Sequence, residues 1–209
     1  MKYSDVLFGF IFIITDTNPY NDGVHIAFLL DGSMGVSWSE YGQQKDFVFD
    51  VAETLRRDTS TQFDAAVVEY SDEATLVFNF TQTYEFSSFL FWFLYGSGKS
   101  DGRQRVDKAL TFTSKYVFAS TGQDIPKIAV LFAFTEHLQP GYPLGKASES
   151  LRQKGVRILV VEVNSINPRE ELVNVTERED DLVHITSIVE STYEFDNLVN
   201  KVLKAIGKY

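Results

Sequence analysis

The chain has 209 residues, a formal net charge of −10 at pH 7 and no cysteine. Its length suits one α/β domain with a core of its own. The acidic balance argues against a nucleic-acid-binding face and suits either a partner with basic patches or simple solubility. Without cysteine there can be no disulfide, no thiolate zinc site and no cysteine nucleophile.

Residues 1–23 are interpreted as a hydrophobic leader or extension that precedes the domain. A single lysine precedes the apolar run Val6–Ile14, as in a secretory signal, although Asp5 lies next to that run. The run is too short to span a bilayer, and an extra strand lying on the domain is the alternative. Sequons at Asn79 and Asn174 would accept glycans if the chain is secreted.

The strands of the domain are indicated by apolar runs. Val24–Leu30, Ile128–Phe134 and Val156–Val163 are almost uniformly apolar, which is typical of strands buried on both faces of a parallel sheet. Phe63–Tyr70 and Ala74–Phe80 flank a short polar turn and predict a hairpin. One strand must therefore be antiparallel, at an edge of the sheet.

Apolar residues at helical spacing predict helices between these strands. The predicted helices are Glu40–Arg57, Val106–Phe118, Gly145–Lys154 and Phe195–Ile206, and the aromatic segment Phe86–Tyr95 is interpreted as a buried helix. This alternation predicts an α/β fold over residues 24–209: a doubly wound, mostly parallel six-stranded sheet with one antiparallel edge strand and helices on both faces.

An acid and a hydroxyl end the first strand and form a candidate binding site. Asp31 and Ser33 directly follow Val24–Leu30, and open parallel sheets bind ligands beyond the carboxyl ends of their strands. Carboxylate and hydroxyl oxygens can coordinate Mg²⁺. Alternatively, these residues form a turn in which Asp31 is an exposed acid that accepts backbone N–H bonds and Ser33 caps the next helix.

The segment "HIAFLLDGSMG", residues 25–35, resembles the opening of a von Willebrand factor A domain, also called an integrin I domain. The resemblance continues through "FDAAVVEYSDEATLVFNF", "GRQRVDKAL", "KIAVLFAFTE" and "LRQKGVRILVVEV". It covers the chain from Val24 to the C-terminus, and the A domains of integrin α chains and of collagen VI are the most similar in character. It implies the Rossmann-like fold of that family.

The resemblance also implies a metal-ion-dependent adhesion site. The family combines Asp-x-Ser-x-Ser after the first strand, a Thr before the central helix and an Asp after the fourth strand. Asp31 and Ser33 match, whereas Gly35, Gln104 and Thr135 occupy the other three positions. The site is thus degenerate, and we expect no metal or only weakly bound Mg²⁺, because a divalent cation needs more negative charge than one carboxylate supplies.

Substitute oxygen ligands could restore such a site. The candidates are the carboxylates of Asp101 and Glu136 and the hydroxyl of Ser37. They leave open a metal-dependent adhesion domain as one alternative to a vacant site.

The resemblance implies a secreted, non-enzymatic protein–protein interaction module of cell adhesion or extracellular matrix. Its partner-binding residues would be Met34, Gln104, Thr135 and Glu136, with Trp38 and His137 at the rim. The alternatives are a structural assembly domain that binds other A domains, or a metal-dependent enzyme or phosphate-binding protein on a similar sheet. The sequence contains no G-x-S-x-G elbow or H-E-x-x-H motif to support catalysis.

Overall fold

The computed structural model describes residues 23–57, 63–80, 98–122, 125–134, 136, 138, 141–163, 170–185 and 192–205. The apolar run Val6–Ile14 and the predicted helix Phe86–Tyr95 lie outside these residues. None of the described helices is long and apolar enough to cross a membrane.

The described part of the chain forms one sheet flanked by helices. The strands are β1 (Val24–Asp31), β2 (Phe63–Tyr70), β3 (Ala74–Phe78), β4 (Lys127–Phe134), β5 (Val156–Val163) and β6 (Leu182–Ile185). The α-helices are α1 (Trp38–Arg57), α2 (Val106–Phe112), α3 (Leu144–Arg152), α4 (Glu170–Val173) and α5 (Thr192–Ala205), with a π-helical turn at Thr113–Val117 and a 3₁₀ turn at Glu179–Asp181.

The sheet has the predicted architecture. Its order is β3-β2-β1-β4-β5-β6, and only the edge strand β3 runs antiparallel to its neighbour. The three strands predicted from continuous apolar runs, β1, β4 and β5, are central and buried nearly throughout. The doubly wound, mostly parallel fold is therefore confirmed.

The core consists of two layers, one on each face of the sheet. Ile26, Phe28 and Leu30 of β1 point into a cluster with α1 and α5, whereas Ala27 and Leu29 point into a second cluster with α2 and α3. Because successive side chains of a strand face opposite ways, a strand covered on both faces needs apolar residues at every position. This explains why β1 shows no alternation.

Helix α1 begins two residues earlier than predicted. The Ser37 hydroxyl accepts from the Glu40 backbone N–H at 3.2 Å, and the Glu40 carboxylate accepts from the Ser37 N–H at 2.8 Å. This reciprocal pair is a capping box. The expectation that Ser33 caps this helix is wrong, because the capping residue is Ser37, which bonds to Glu40 three positions later.

The helix predicted at Val106–Phe118 changes its winding partway. It is α-helical to Phe112 and then forms a π-helical turn, in which the Phe118 N–H donates to the Thr113 carbonyl at 3.0 Å. The Ser114 hydroxyl, within this turn, hydrogen-bonds to Ser150 of α3. A π-helical turn of this kind depends on tertiary contacts, and the spacing of apolar residues in the sequence does not reveal it.

The topology creates a crevice at the carboxyl end of β1. Pairing between β1 and β4 ends at Leu29 and Leu131, although both strands continue. The Tyr70 hydroxyl donates to the Phe132 carbonyl across this gap at 2.6 Å. Since strand order reverses between β1 and β4, this is the position at which doubly wound sheets bind ligands.

The backbone conformation of Gly155, shortly after α3, can be tested by substitution. Gly155 has φ +72° and open space around its missing side chain, whereas Gly145, within α3, also has open space but no positive φ. We expect Gly155→Ala to destabilise the protein by about 1 kcal/mol, because a side chain there is strained. Gly145→Ala should instead stabilise it by up to about 1 kcal/mol. Urea unfolding of both variants measures this, and equal effects would contradict it.

Candidate functional site

The site is centred on Asp31, the last residue of β1. Asp31 is fully buried, which corrects the expectation of an exposed acid. Gln44 of α1 bonds to its backbone on both sides: Gln44 Oε1 accepts from the Asp31 N–H at 2.8 Å, and Gln44 Nε2 donates to the Asp31 carbonyl at 3.1 Å. A side chain of α1 thereby fixes the strand end beyond the last β1–β4 pair.

Both oxygens of the Asp31 carboxylate accept hydrogen bonds from neutral donors. Oδ1 accepts from the Ser33 backbone N–H at 2.9 Å, and Oδ2 accepts a close bond from Gln104 Nε2. Burial raises the pKa of Asp31, while the side chain and backbone of Ser33, the Gln104 amide and the Phe134 backbone pull that pKa back down. The expectation that Asp31 accepts backbone bonds in a turn is confirmed.

Three further polar groups lie around this carboxylate. The phenol of Tyr70 is wholly buried near Asp31 and Gln104, and its burial raises the pKa of Tyr70 well above the usual value. Ser33 Oγ is close enough to lower the Asp31 pKa, yet it makes no hydrogen bond of acceptable geometry. Gln104 Oε1 is also buried without a hydrogen-bond partner. The cluster thus combines one carboxylate with a hydroxyl, a phenol and a carboxamide.

A second carboxylate, Glu69 of β2, joins three elements beside this cluster. It accepts from the Tyr41 hydroxyl at 2.6 Å, from the Ser100 backbone N–H at 2.7 Å, and from the Ser100 hydroxyl. A side chain at Gly32 would lie 2.9 Å from Glu69 Oε1, so any larger residue there would displace the Glu69 side chain. Sequence reasoning missed Glu69; the available signal was an acid near the end of the apolar strand "FDAAVVEY".

The segment from Gly98 to Arg105 lies against the residues that follow β1 and β2. The Met34 N–H donates to the Gly102 carbonyl at 2.9 Å, and Arg103 pairs with Asp72 at 2.8 Å. Gly102 has φ +145°, and a side chain there would meet the Asp72 carboxylate at 2.7 Å. The segment is therefore held in one place by backbone and side-chain bonds, and this placement brings Gln104 to Asp31.

The residues predicted to bind a partner separate into exposed and buried groups. Met34, Trp38 and Glu136 are exposed. Gln104 is 1% exposed, so it supports the face from below instead of contacting a partner directly. Thr135 and His137 lie outside the described residues.

The proposed substitute ligands and the sequons are also placed. Asp101 lies at the surface, 3.3 Å from Lys99, and Ser37 is part of the capping box. Among the sequon asparagines, Asn174 is exposed and Asn79 is half-buried.

These residues do not fit a hard divalent cation. The unpartnered oxygens of Ser33 and Gln104 would favour one. Among the described residues, however, Asp31 is the one carboxylate at the centre, and both of its oxygens already accept N–H groups. Within the described ranges, no group of three or more His, Cys, Asp or Glu side chains could hold a metal ion. A Mg²⁺ or Ca²⁺ site needs several oxygens and compensating charge, which this arrangement lacks.

Comparisons with known proteins give the family and the fold. The family model described as "von Willebrand factor type A domain" matches residues 25–201. The chain therefore belongs to the von Willebrand factor A family, whose members generally act as protein-interaction modules. A search of curated protein sequences found no match.

Solved structures of proximal thread matrix protein 1 from the mussel byssus share the fold. One superimposes with a TM-score of 0.71 at 20% identity, over 87% of this chain and 45% of that one. A second crystal form gives 0.74 at 16% identity, over 88% and 48%. A third, with a zinc-occupied metal-ion-dependent adhesion site, gives 0.71 at 21% identity, over 87% and 46%. The chain spans less than half the length of these proteins, and the likeness shows the fold alone.

The raised pKa of Asp31 predicts a pH dependence of stability. Some carboxyl groups have a higher pKa in the folded than in the unfolded protein. Such a group adds stability as the pH falls from its pKa in the folded protein towards its ordinary pKa, which is 3.8 for aspartate. We therefore expect the stability of the wild type to increase relative to Asp31→Asn as the pH falls from 7 towards 4. Urea unfolding of both proteins across this range measures the difference.

The opposite trend would contradict this assignment. If the advantage of the wild type shrinks on acidification, the pKa of Asp31 is lowered in the folded state, as a bound cation would lower it.

Proposed function

We propose that this chain is a non-enzymatic interaction module of the extracellular matrix or of cell adhesion. It binds a matrix or cell-surface protein through the carboxyl edge of the sheet and does not require a divalent cation. The observation that carries this proposal is the exposure of Met34 (74%) and Trp38 (69%) directly beside the closed Asp31 cluster.

The position of these two side chains supports a binding face. Four large apolar side chains are exposed within the described ranges, namely Met34, Trp38, Tyr116 and Val173. Met34 lies on the short connection from β1 to α1, and Trp38 is the first residue of α1. Tryptophan is enriched among residues that dominate binding energy, and the flexible methionine side chain adapts to irregular partner surfaces.

Charges around these anchors favour a partner with both apolar and basic groups. Lys99 Nζ lies 5.9 Å from the centre of the Trp38 ring and 3.3 Å from Asp101. Glu136 is exposed on the same edge of the sheet, and the whole chain carries −10. Such a field steers basic partners and increases their association rate at low salt.

An extracellular location is part of the proposal. It is supported by the byssal matrix origin of the similar structures and by the exposure of Asn174 in its sequon. The matrix setting also supports a binding role over a catalytic one.

Solid-phase binding tests the proposed face. Wells are coated with fibrillar collagen, fibronectin, laminin or this chain itself, and bound protein is measured in Mg²⁺ and in EDTA. We expect saturable binding to at least one matrix protein, unchanged by EDTA. Trp38→Ala should weaken it at least about tenfold, because tryptophan is enriched among the hot-spot residues whose truncation costs about 2 kcal/mol or more.

Tyr116→Ala is the matched control, because Tyr116 is exposed to a similar extent (55%) but follows α2 towards the opposite edge of the sheet. It should bind like the wild type. Binding that EDTA abolishes, or that Tyr116→Ala weakens as much as Trp38→Ala, would contradict the proposed face. Binding only to wells coated with this chain would assign an assembly role instead.

A further inference from the structure

We propose that the side-chain amide of Gln104 takes the place of the cation in this site. Its N–H group donates a hydrogen bond to Asp31 Oδ2 and thereby joins the segment before α2 to the end of β1. Complete sites of the family make this connection through a metal ion. This inference concerns how the face is built and holds whichever partner binds it.

The chemistry of the two residue types supports the exchange. A buried carboxylate needs donors or a positive charge on each oxygen, because desolvation penalises its ionised form. A carboxamide N–H supplies a partial positive charge at Asp31, and no further acidic side chains are needed to balance it. A divalent ion at the same place needs several more oxygens and a second negative charge. One carboxylate therefore suffices with Gln104, and Gly35 and Thr135 need supply no ligand.

The amide also fixes the surface that carries Met34. Gln104 lies in the segment whose Gly102 carbonyl accepts the Met34 N–H, and the same segment reaches Glu69 through Ser100. Gln104 itself is 1% exposed and cannot touch a partner. It is thus a positioning residue that acts through Asp31, and the arrangement of the face does not change when metal is added or removed.

Replacing the amide by its isosteric acid tests this proposal. Gln104→Glu removes the N–H donor and sets a second carboxylate against Asp31 next to the unpartnered Ser33 hydroxyl. In EDTA we expect the Tm to fall by about 5 °C or more, given a few °C per kcal/mol for a chain of this size. Mn²⁺ at 1 mM should restore most of that loss, since two carboxylates and a hydroxyl now favour a cation. The wild-type Tm should be the same in Mn²⁺ and in EDTA.

The double variant Asp31→Asn/Gln104→Glu is the matched control. It exchanges donor and acceptor: the introduced asparagine can still accept from the Ser33 N–H while its amide donates to the introduced glutamate. In EDTA we expect its Tm to exceed that of Gln104→Glu, and we expect it to show no response to Mn²⁺. A purely structural role for Gln104 would move the Tm of the single variant but would not create or remove a metal response.

Three results would each overturn the proposal. They are an EDTA-reversible rise of the wild-type Tm in Mn²⁺, a Gln104→Glu variant whose Tm in EDTA equals that of the wild type, and a double variant no more stable in EDTA than Gln104→Glu. If Gln104→Glu does not fold under any condition, the wild type and the double variant still decide the question.

Discussion

The architecture of the site depends on one buried carboxylate whose oxygens need hydrogen-bond donors. Asp31 ends the central strand β1 two residues beyond the last β1–β4 pair, and it is fully buried there. An unsatisfied carboxylate there would cost several kcal/mol. The protein meets this demand with neutral donors from two connections, Ser33 after β1 and Gln104 before α2, and these bonds hold the connections together.

The same constraint explains the neighbouring surface. Because the polar groups around Asp31 are buried, a partner cannot reach them, and the side chains left for recognition are the exposed ones, Met34 and Trp38. Glu69 holds Ser100 and Tyr41 in the same manner on the other side of Gly32. A face built on internal hydrogen bonds recognises its partner by shape and by apolar anchors.

The fold could be predicted from the sequence because burial on both faces imposes long apolar runs on β1, β4 and β5, and because helices leave a periodic pattern. The family resemblance identified Asp31, Ser33 and the three altered positions. The role of Gln104 could not be predicted, since residue type alone does not reveal whether an amide reaches a carboxylate 73 positions away. The burial of Glu69 and the π-helical turn at Thr113–Val117 were missed for the same reason, because both depend on contacts between distant segments.

The most direct test of the central claim is a crystal structure of the wild-type chain grown in Mn²⁺, with anomalous differences measured at the manganese edge. The account predicts no anomalous peak beside Asp31 and a Gln104 side chain within hydrogen-bond distance of its carboxylate. A peak coordinated by Asp31 and Ser33, with the Gln104 amide turned away or presenting its oxygen, would contradict it.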